Sequence, residues 1–261
     1  MSVTPSHPPI SRLWADLTWQ AIRDLPKEPG VVVLPIGAIE QHGPHLPVWT
    51  DALLAERLSA RAFELLPQGV QALLLPTLSY GKSNEHTGYP GTIALSAATL
   101  MALLRDIGTA VAKSGFTRLL FINTHGGNKA LLEMMCRDLR AELGLLCFLA
   151  QGSAYTSMLP DLEKRFGIHA NTVETSMLLH LTPELVQRPL PAAHYPDFTS
   201  QTFNLTTQPQ VGWLTRDWSE QGHFGDPSTA TPETGARWFE ESAAGLAAQI
   251  AEASTFRVAN G

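Results

Sequence analysis

The 261-residue sequence predicts an α/β domain built on a parallel sheet, and three observations lead there. Short apolar runs alternate with longer helical patterns, as βαβ crossovers require. Those runs are apolar at successive positions, the mark of strands buried on both faces, not half-exposed ones. A chain of this length with 44% hydrophobic residues has ample material for a core. No internal repeat or low-complexity linker divides it, so 1–261 reads as one domain.

Taken in order, 17–25 reads as a short helix and Val31–Ile36 as a buried strand rich in valine. A helix over 52–65 and a strand over 72–75 follow. The helix Ala97–Lys113 runs to Gly115, a C-capping glycine. Strand 119–123, helix Lys129–Leu143 and strand 145–149 complete the alternation. A helix over 173–181 ends near Pro183, and 232–253 forms a long closing helix with an alanine-rich face. Between them, 185–227 is irregular and rich in proline and aromatic residues, including Trp213, Trp218 and Phe224. Such a segment either walls a pocket or meets another subunit, since aromatics are enriched in both settings.

The formal charge of -6 supplies no electrostatic reason to bind nucleic acid. No apolar run reaches the roughly 18 residues of a membrane helix. The first nine residues have neither a basic region nor an apolar one, so secretion is not expected and a cytoplasmic location is. Cys136 and Cys147 lack CxxC spacing and read as core residues. Ser83 sits in Gly-Lys-Ser-Asn, which is no nucleophile elbow.

The chemistry lies where strands end. Just past Val31–Ile36 stand Glu40, His42 and Asp51, at the edge of an α/β sheet where ligands bind. On extended backbone Glu40 and His42 point to one side and converge. Asp51, at the start of a helical pattern, either caps that helix or bridges two cations. The strand 119–123 runs into Thr124-His125-Gly126-Gly127-Asn128, where His125 is either a ligand or a turn residue. Gly126 and Gly127 allow close backbone approach at a helix start. Glu174 falls in the first turn of the 173–181 helix, where the helix dipole already favours a carboxylate. The loop from Tyr80 to Thr92, with Ser83, Glu85 and His86, reads as a site wall.

Five segments in this order, GAIEQHGPHLPVWTD, GKSNEHTGYPGTIAL, NTHGGN, HANTVETS and GHFGDPSTAT, resemble the creatininase family of metal-dependent amidohydrolases. That family includes formamide deformylase and mycofactocin-peptidase relatives. The resemblance implies a single three-layer α/β/α domain with a mainly parallel sheet, two divalent ions and a homo-oligomer, commonly a hexamer. It makes Glu40, Asp51 and His125 ligands of one metal and His42 and Asp51 ligands of the other. Creatininase itself has a glutamate two residues after the equivalent of His125; Gly127 stands here, which argues against creatinine as substrate. Relatives with His-Gly-Gly-Asn take the remaining carboxylate from the Glu-Thr-Ser element, which makes Glu174 the last ligand. His169 matches the catalytic histidine. Asn171-Thr172 departs from the Gly-Glu that relatives commonly show.

Carboxylates mixed with imidazoles suit Zn²⁺, Mn²⁺ or Fe²⁺. The expected reaction is hydrolysis of the C–N bond of a small amide, a lactam or a formamide. A metal-bound hydroxide attacks and His169 protonates the leaving nitrogen. Ser83, Glu85, His86, Gly126 and Gly127 would touch substrate or support the ligands. The alternatives are a peptidase that trims a short peptide and a metal-binding protein without catalysis.

Overall fold

Four parallel strands, β1 (Val31–Ile36), β2 (Ala72–Leu74), β3 (Arg118–Asn123) and β4 (Leu146–Ala150), form a sheet in the order β2-β1-β3-β4. The structure is a computed structural model and describes residues 12–150, 152 and 159–259. The N-terminal stretch read above for a leader lies outside the described residues.

The unbroken apolar character of the strands has a direct cause. Along β1, Val31 and Val33 face one core with Leu120 and Ile122, while Val32, Leu34 and Ile36 face a second with Leu119 and Phe121. The first core is closed by α2 (Thr50–Glu64), α6 (Thr172–Leu181) and α7 (Pro232–Thr255). The second is closed by α3 (Ala97–Lys113) and α4 (Lys129–Leu143). With both faces covered, every position of β1 and β2 and all but the last of β3 are lost to water, whereas β4 at the sheet edge is half-buried, and alternation disappears from the inner strands. The expected three-layer α/β/α arrangement is therefore what the chain adopts, and its sheet is wholly parallel.

Local signals set most boundaries. The short α1 (Trp19–Asp24) starts at Thr18, whose hydroxyl accepts from Ala21 N–H. In α3, Ser96 caps the start and Gly115, at φ +89°, follows the last turn. Helix α2 begins two residues before the expected 52, and α7 runs two residues beyond 253. The short α5 (Asp161–Phe166) was not anticipated, because six residues hold too little periodicity. Cys136 and Cys147 are free and half-buried; burial pushes their thiols up to about 11 and about 12, so neither is a thiolate nucleophile at neutral pH. No helix among the described residues is long and apolar enough to cross a membrane.

Strand order decides where a ligand can sit. The chain leaves β1 through α2 on one face and leaves β3 through α4 on the other, although β1 and β3 are neighbours. Their carboxyl ends are level, with Ile36 opposite Asn123. The connections part there and open a crevice at a topological switch point.

Candidate metal centre

Both strand ends deliver side chains into that crevice. After β1, Gly37 packs against the first turn of α2 so closely that a Cβ would stand 2.6 Å from Ala52 N and Cα. This contact brings Asp51 beside the strand end. The residue ahead of α2 is Trp49, which makes no side-chain cap, so Asp51 does not cap the helix. Its carboxylate is buried between two histidines, with Oδ1 3.4 Å from His42 Nε2 and Oδ2 3.3 Å from His125 Nδ1. At the end of β3, Asn123 donates to the His125 carbonyl (2.7 Å) and Thr124 to the Asp51 carbonyl (2.8 Å), which ties the end of β3 to the first turn of α2.

The remaining members come from α6. Asn171 caps this helix through Val173 and Glu174 N–H, and Glu174 completes a capping box by accepting from Asn171 N–H at 3.4 Å. Glu174 is thus a helix-start residue and a site residue at once. His169 precedes the cap, pairs through its backbone with Phe224 and is followed by Ala170 at φ +49°, a left-handed conformation that costs a non-glycine residue roughly 1 kcal/mol or more. Behind the helix, His45 Nε2 and Thr175 Oγ1 are 2.9 Å apart.

Three overlapping groups result, each with ligand-type atoms within 4.8 Å of one another: Glu40, Asp51 and His125; His42, His169 and Glu174; and Glu40, His86 and His169. Glu40 and His42 therefore serve adjoining groups instead of converging on one point, as extended backbone alone suggested. Glu40 Oε1 and Oε2, His42 Nε2 and Asp51 Oδ2 are buried without a hydrogen-bond partner. Such atoms are costly unless a cation or proton satisfies them.

Charge follows the same division. Burial pushes Glu174 up to about 7 and raises Glu40. Burial also works against charge on His42, but Asp51, Glu174 and Glu40 outweigh it and hold the imidazole at about 9. For His125, likewise, burial is outweighed by Glu40 and Asp51, and its pKa stands well above the ordinary range. Asp51 is held low, because these two histidines overcome the effect of its burial. His86 is brought down to about 3 by burial and then by His42 and His125. His169 lies well below the ordinary value, through burial and then His86 and His42. Positive charge is thus wanted at two places, beside His125 and beside His42. The donor set there, carboxylate oxygen with imidazole nitrogen, fits divalent Zn²⁺, Mn²⁺ or Fe²⁺.

Hydrogen bonds choose the nitrogens that face the site. His42 Nδ1 donates to the Glu40 carbonyl (3.0 Å), which leaves Nε2 for a ligand role. His125 Nε2 donates to the Lys82 carbonyl (3.1 Å), which leaves Nδ1 toward Asp51. His169 Nε2 donates to the Gln41 carbonyl (2.6 Å), so its Nδ1 lone pair looks inward, 3.5 Å from Glu40 Oε1.

Ser83 and Glu85, read as wall residues, both stand beside His125. Ser83 Oγ is 3.4 Å from His125 Nε2, and Glu85 Oε1 is 3.5 Å from the same nitrogen. A Cβ at Gly127 would collide with Glu85 Oε1, the Lys82 carbonyl and His125 Nε2, so glycine is required there and the Glu85 carboxylate occupies that space. Glu85, His86, Gly126 and Gly127 line an open cleft of about 650 Å³, whose opposite wall is the segment 205–213. Part of the irregular 185–227 stretch thus walls a pocket. Asp226 caps a short turn by accepting from Ser228 N–H, as its Gly-Asp-Pro setting suggests.

Two residues escaped sequence reasoning. Gln41 lies between two ligand-type residues, and its amide reaches His86, His169 and Gly222. Glu163 is buried and accepts from Thr172 N–H, Tyr195 O–H and Asp226 N–H, which locks the start of α6 to the 226 loop. Thr172 turns to the same loop, with its hydroxyl donating to the Asp226 carbonyl. A glutamine inside a ligand motif was the one available signal; nothing local marks Glu163.

The family model for creatinine amidohydrolase matches residues 15–250. The chain is 34% identical over 223 residues to the mycofactocin precursor peptide peptidase of Mycolicibacterium smegmatis, covering 84% of each chain. It is 29% identical over 245 residues to the creatinine amidohydrolase of Pseudomonas putida, covering 85% of this chain and 89% of that one. A solved mutant creatininase of Zn-Zn type superposes with a TM-score of 0.70 at 26% identity, over 93% of this chain and 98% of its own length.

Proposed function

The chain belongs to the creatininase family of hydrolases, and from that premise we propose that it holds two divalent cations and hydrolyses the C–N bond of an amide. One observation carries this reading: buried carboxylates and inward-facing imidazole nitrogens, four of their atoms without a hydrogen-bond partner, meet at the level carboxyl ends of β1 and β3. Glu40, Asp51 and His125 would hold one ion. His42, Glu174 and Asp51 would hold the other, with Asp51 shared. Bound there, divalent cations polarise a carbonyl and lower the pKa of a water toward neutrality.

The chain's own residues supply the rest. His169 is held by the Gln41 carbonyl with its proton on Nε2. Its Nδ1 is the atom that accepts a proton from the attacking water and returns it to the leaving nitrogen. Glu85, at the cleft surface beside His125, is placed to contact substrate.

The cleft bears on the substrate. An open space of about 650 Å³ is mid-range for sites that take drug-sized ligands and is roomy for a small ring. We therefore favour a short peptide over a lactam or formamide, in keeping with the peptidase named among the relatives. The test is metal analysis of chain purified without chelator or nickel, with a turnover panel of short peptides, lactams and formamides on the same sample. Two ions per chain and chelator-sensitive cleavage of a peptide are expected. One ion or none, with no turnover after adding Zn²⁺, Mn²⁺ or Fe²⁺, would overturn the proposal.

A further inference from the structure

We propose that Gln41 is a positioning residue: its side-chain amide keeps the proton of His86 on Nε2, so that His86 serves Glu40 as a proton-bearing neighbour and not as a metal ligand. This rests on the reading of the site given above and assigns the third group, Glu40, His86 and His169, a different role from the other two.

The direction of each bond follows from fixed partners. Gln41 Oε1 accepts from Gly43 N–H at 2.9 Å, and Gln41 Nε2 donates to the Gly222 carbonyl at 2.8 Å. A backbone N–H can only donate and a carbonyl can only accept, so the amide cannot be flipped. The second hydrogen on Nε2 then has two nitrogens within reach, His86 Nδ1 at 2.8 Å and His169 Nε2 at 3.1 Å. His169 Nε2 already donates to the Gln41 carbonyl and is not an acceptor. The hydrogen therefore goes to His86 Nδ1. Thr215, fully buried, has its hydroxyl 3.0 Å from the same Nδ1.

With Nδ1 accepting, neutral His86 carries its proton on Nε2. That nitrogen is 3.2 Å from Glu40 Oε1, a polar contact outside hydrogen-bond geometry. An imidazole nitrogen that holds a proton cannot ligate, which leaves Glu40 to Asp51 and His125. The slot for the amide is built in advance: Gly222 sits at φ +82°, and any Cβ there would run into Gln41 Oε1. Glycine at this position lets a carbonyl reach the amide where no side chain could stand.

The test is ¹⁵N imidazole NMR on the zinc-loaded chain, with zinc content measured on the same sample. His86 is expected to show a protonated Nε2 and an unprotonated, metal-free Nδ1. In Gln41→Glu the carboxylate can only accept, so the proton is expected to move to His86 Nδ1. Zinc content should stay as in the unsubstituted chain, while kcat falls about 10–100-fold with KM changed less than about twofold. A proton on Nδ1 of His86 in the unsubstituted chain, a zinc-shifted His86 signal, or an unchanged tautomer in Gln41→Glu would each overturn the proposal. The unsubstituted spectrum needs no variant to fold. Because tautomer and zinc content are read separately, loss of the two-ion reading is distinguishable from loss of this one.

Discussion

Glu40, Asp51 and His125 hang from the loop after β1, the first turn of α2 and the end of β3, whereas His42, His169 and Glu174 join the β1 loop to α6 and the segment before it. The first group rests on two hydrogen-bonded strands and a helix packed against them. The second depends on a helix held by its own cap, by the Glu163 carboxylate and by a left-handed alanine. One side of the centre is thus part of the sheet scaffold and the other is assembled onto it. The difference implies unequal tolerance: the first group should survive changes around α6, and neither ion should survive loss of Asp51, which belongs to the first group and reaches His42 of the second.

The largest effect is expected at that shared residue. Asp51→Ala should strip both ions and cut turnover by more than about 10⁴-fold, because the polarised carbonyl and the activated water go together. Elemental analysis and turnover on one sample check this; retention of one ion would mean that Asp51 does not join the groups. His169→Ala should keep both ions while kcat falls about 10²–10⁴-fold, the range for loss of a proton-transfer group. Loss of one ion there would instead make His169 a ligand, as its place near His42 and Glu174 allows.

Glu174→Gln sharpens the division further. It should weaken one ion's affinity by about 10–100-fold or more and leave the Glu40, Asp51 and His125 ion in place, measured by titration with a competing chelator. Equal weakening of both would erase the distinction between the groups. The smallest effect is expected for Asn171→Ala, which removes the side-chain acceptor of Val173 and Glu174 N–H and should cost about 1 kcal/mol in thermal unfolding with ion content unchanged.

Much of this was legible locally. Valine-rich runs, Ser96 and Gly115 at the ends of α3, and Pro232 at the start of α7 announce their elements through backbone preference and need no distant partner. The ligand-type residues stand just past strand ends, so their neighbourhood could be inferred from strand order. Asp51 shows the limit: its sequence setting allowed cap or bridge, and only the packing of Gly37 on α2, with His42 and His125 on either side, excludes the cap. Gly127 shows it again, since its need for glycine comes from the Lys82 carbonyl and the Glu85 carboxylate, 45 and 42 positions away.

By itself, then, the sequence determined the parallel α/β layering and the set of groups able to bind metal, because burial pattern and side-chain chemistry are carried by each segment alone. Tertiary structure decided which atoms of that set meet and which nitrogen of each histidine faces inward. Those choices rest on contacts such as Gln41 with His86, His169 and Gly222, separated by 45, 128 and 181 positions. Hydrogen-bond direction is a property of two partners at once, and no local pattern along the chain contains the second.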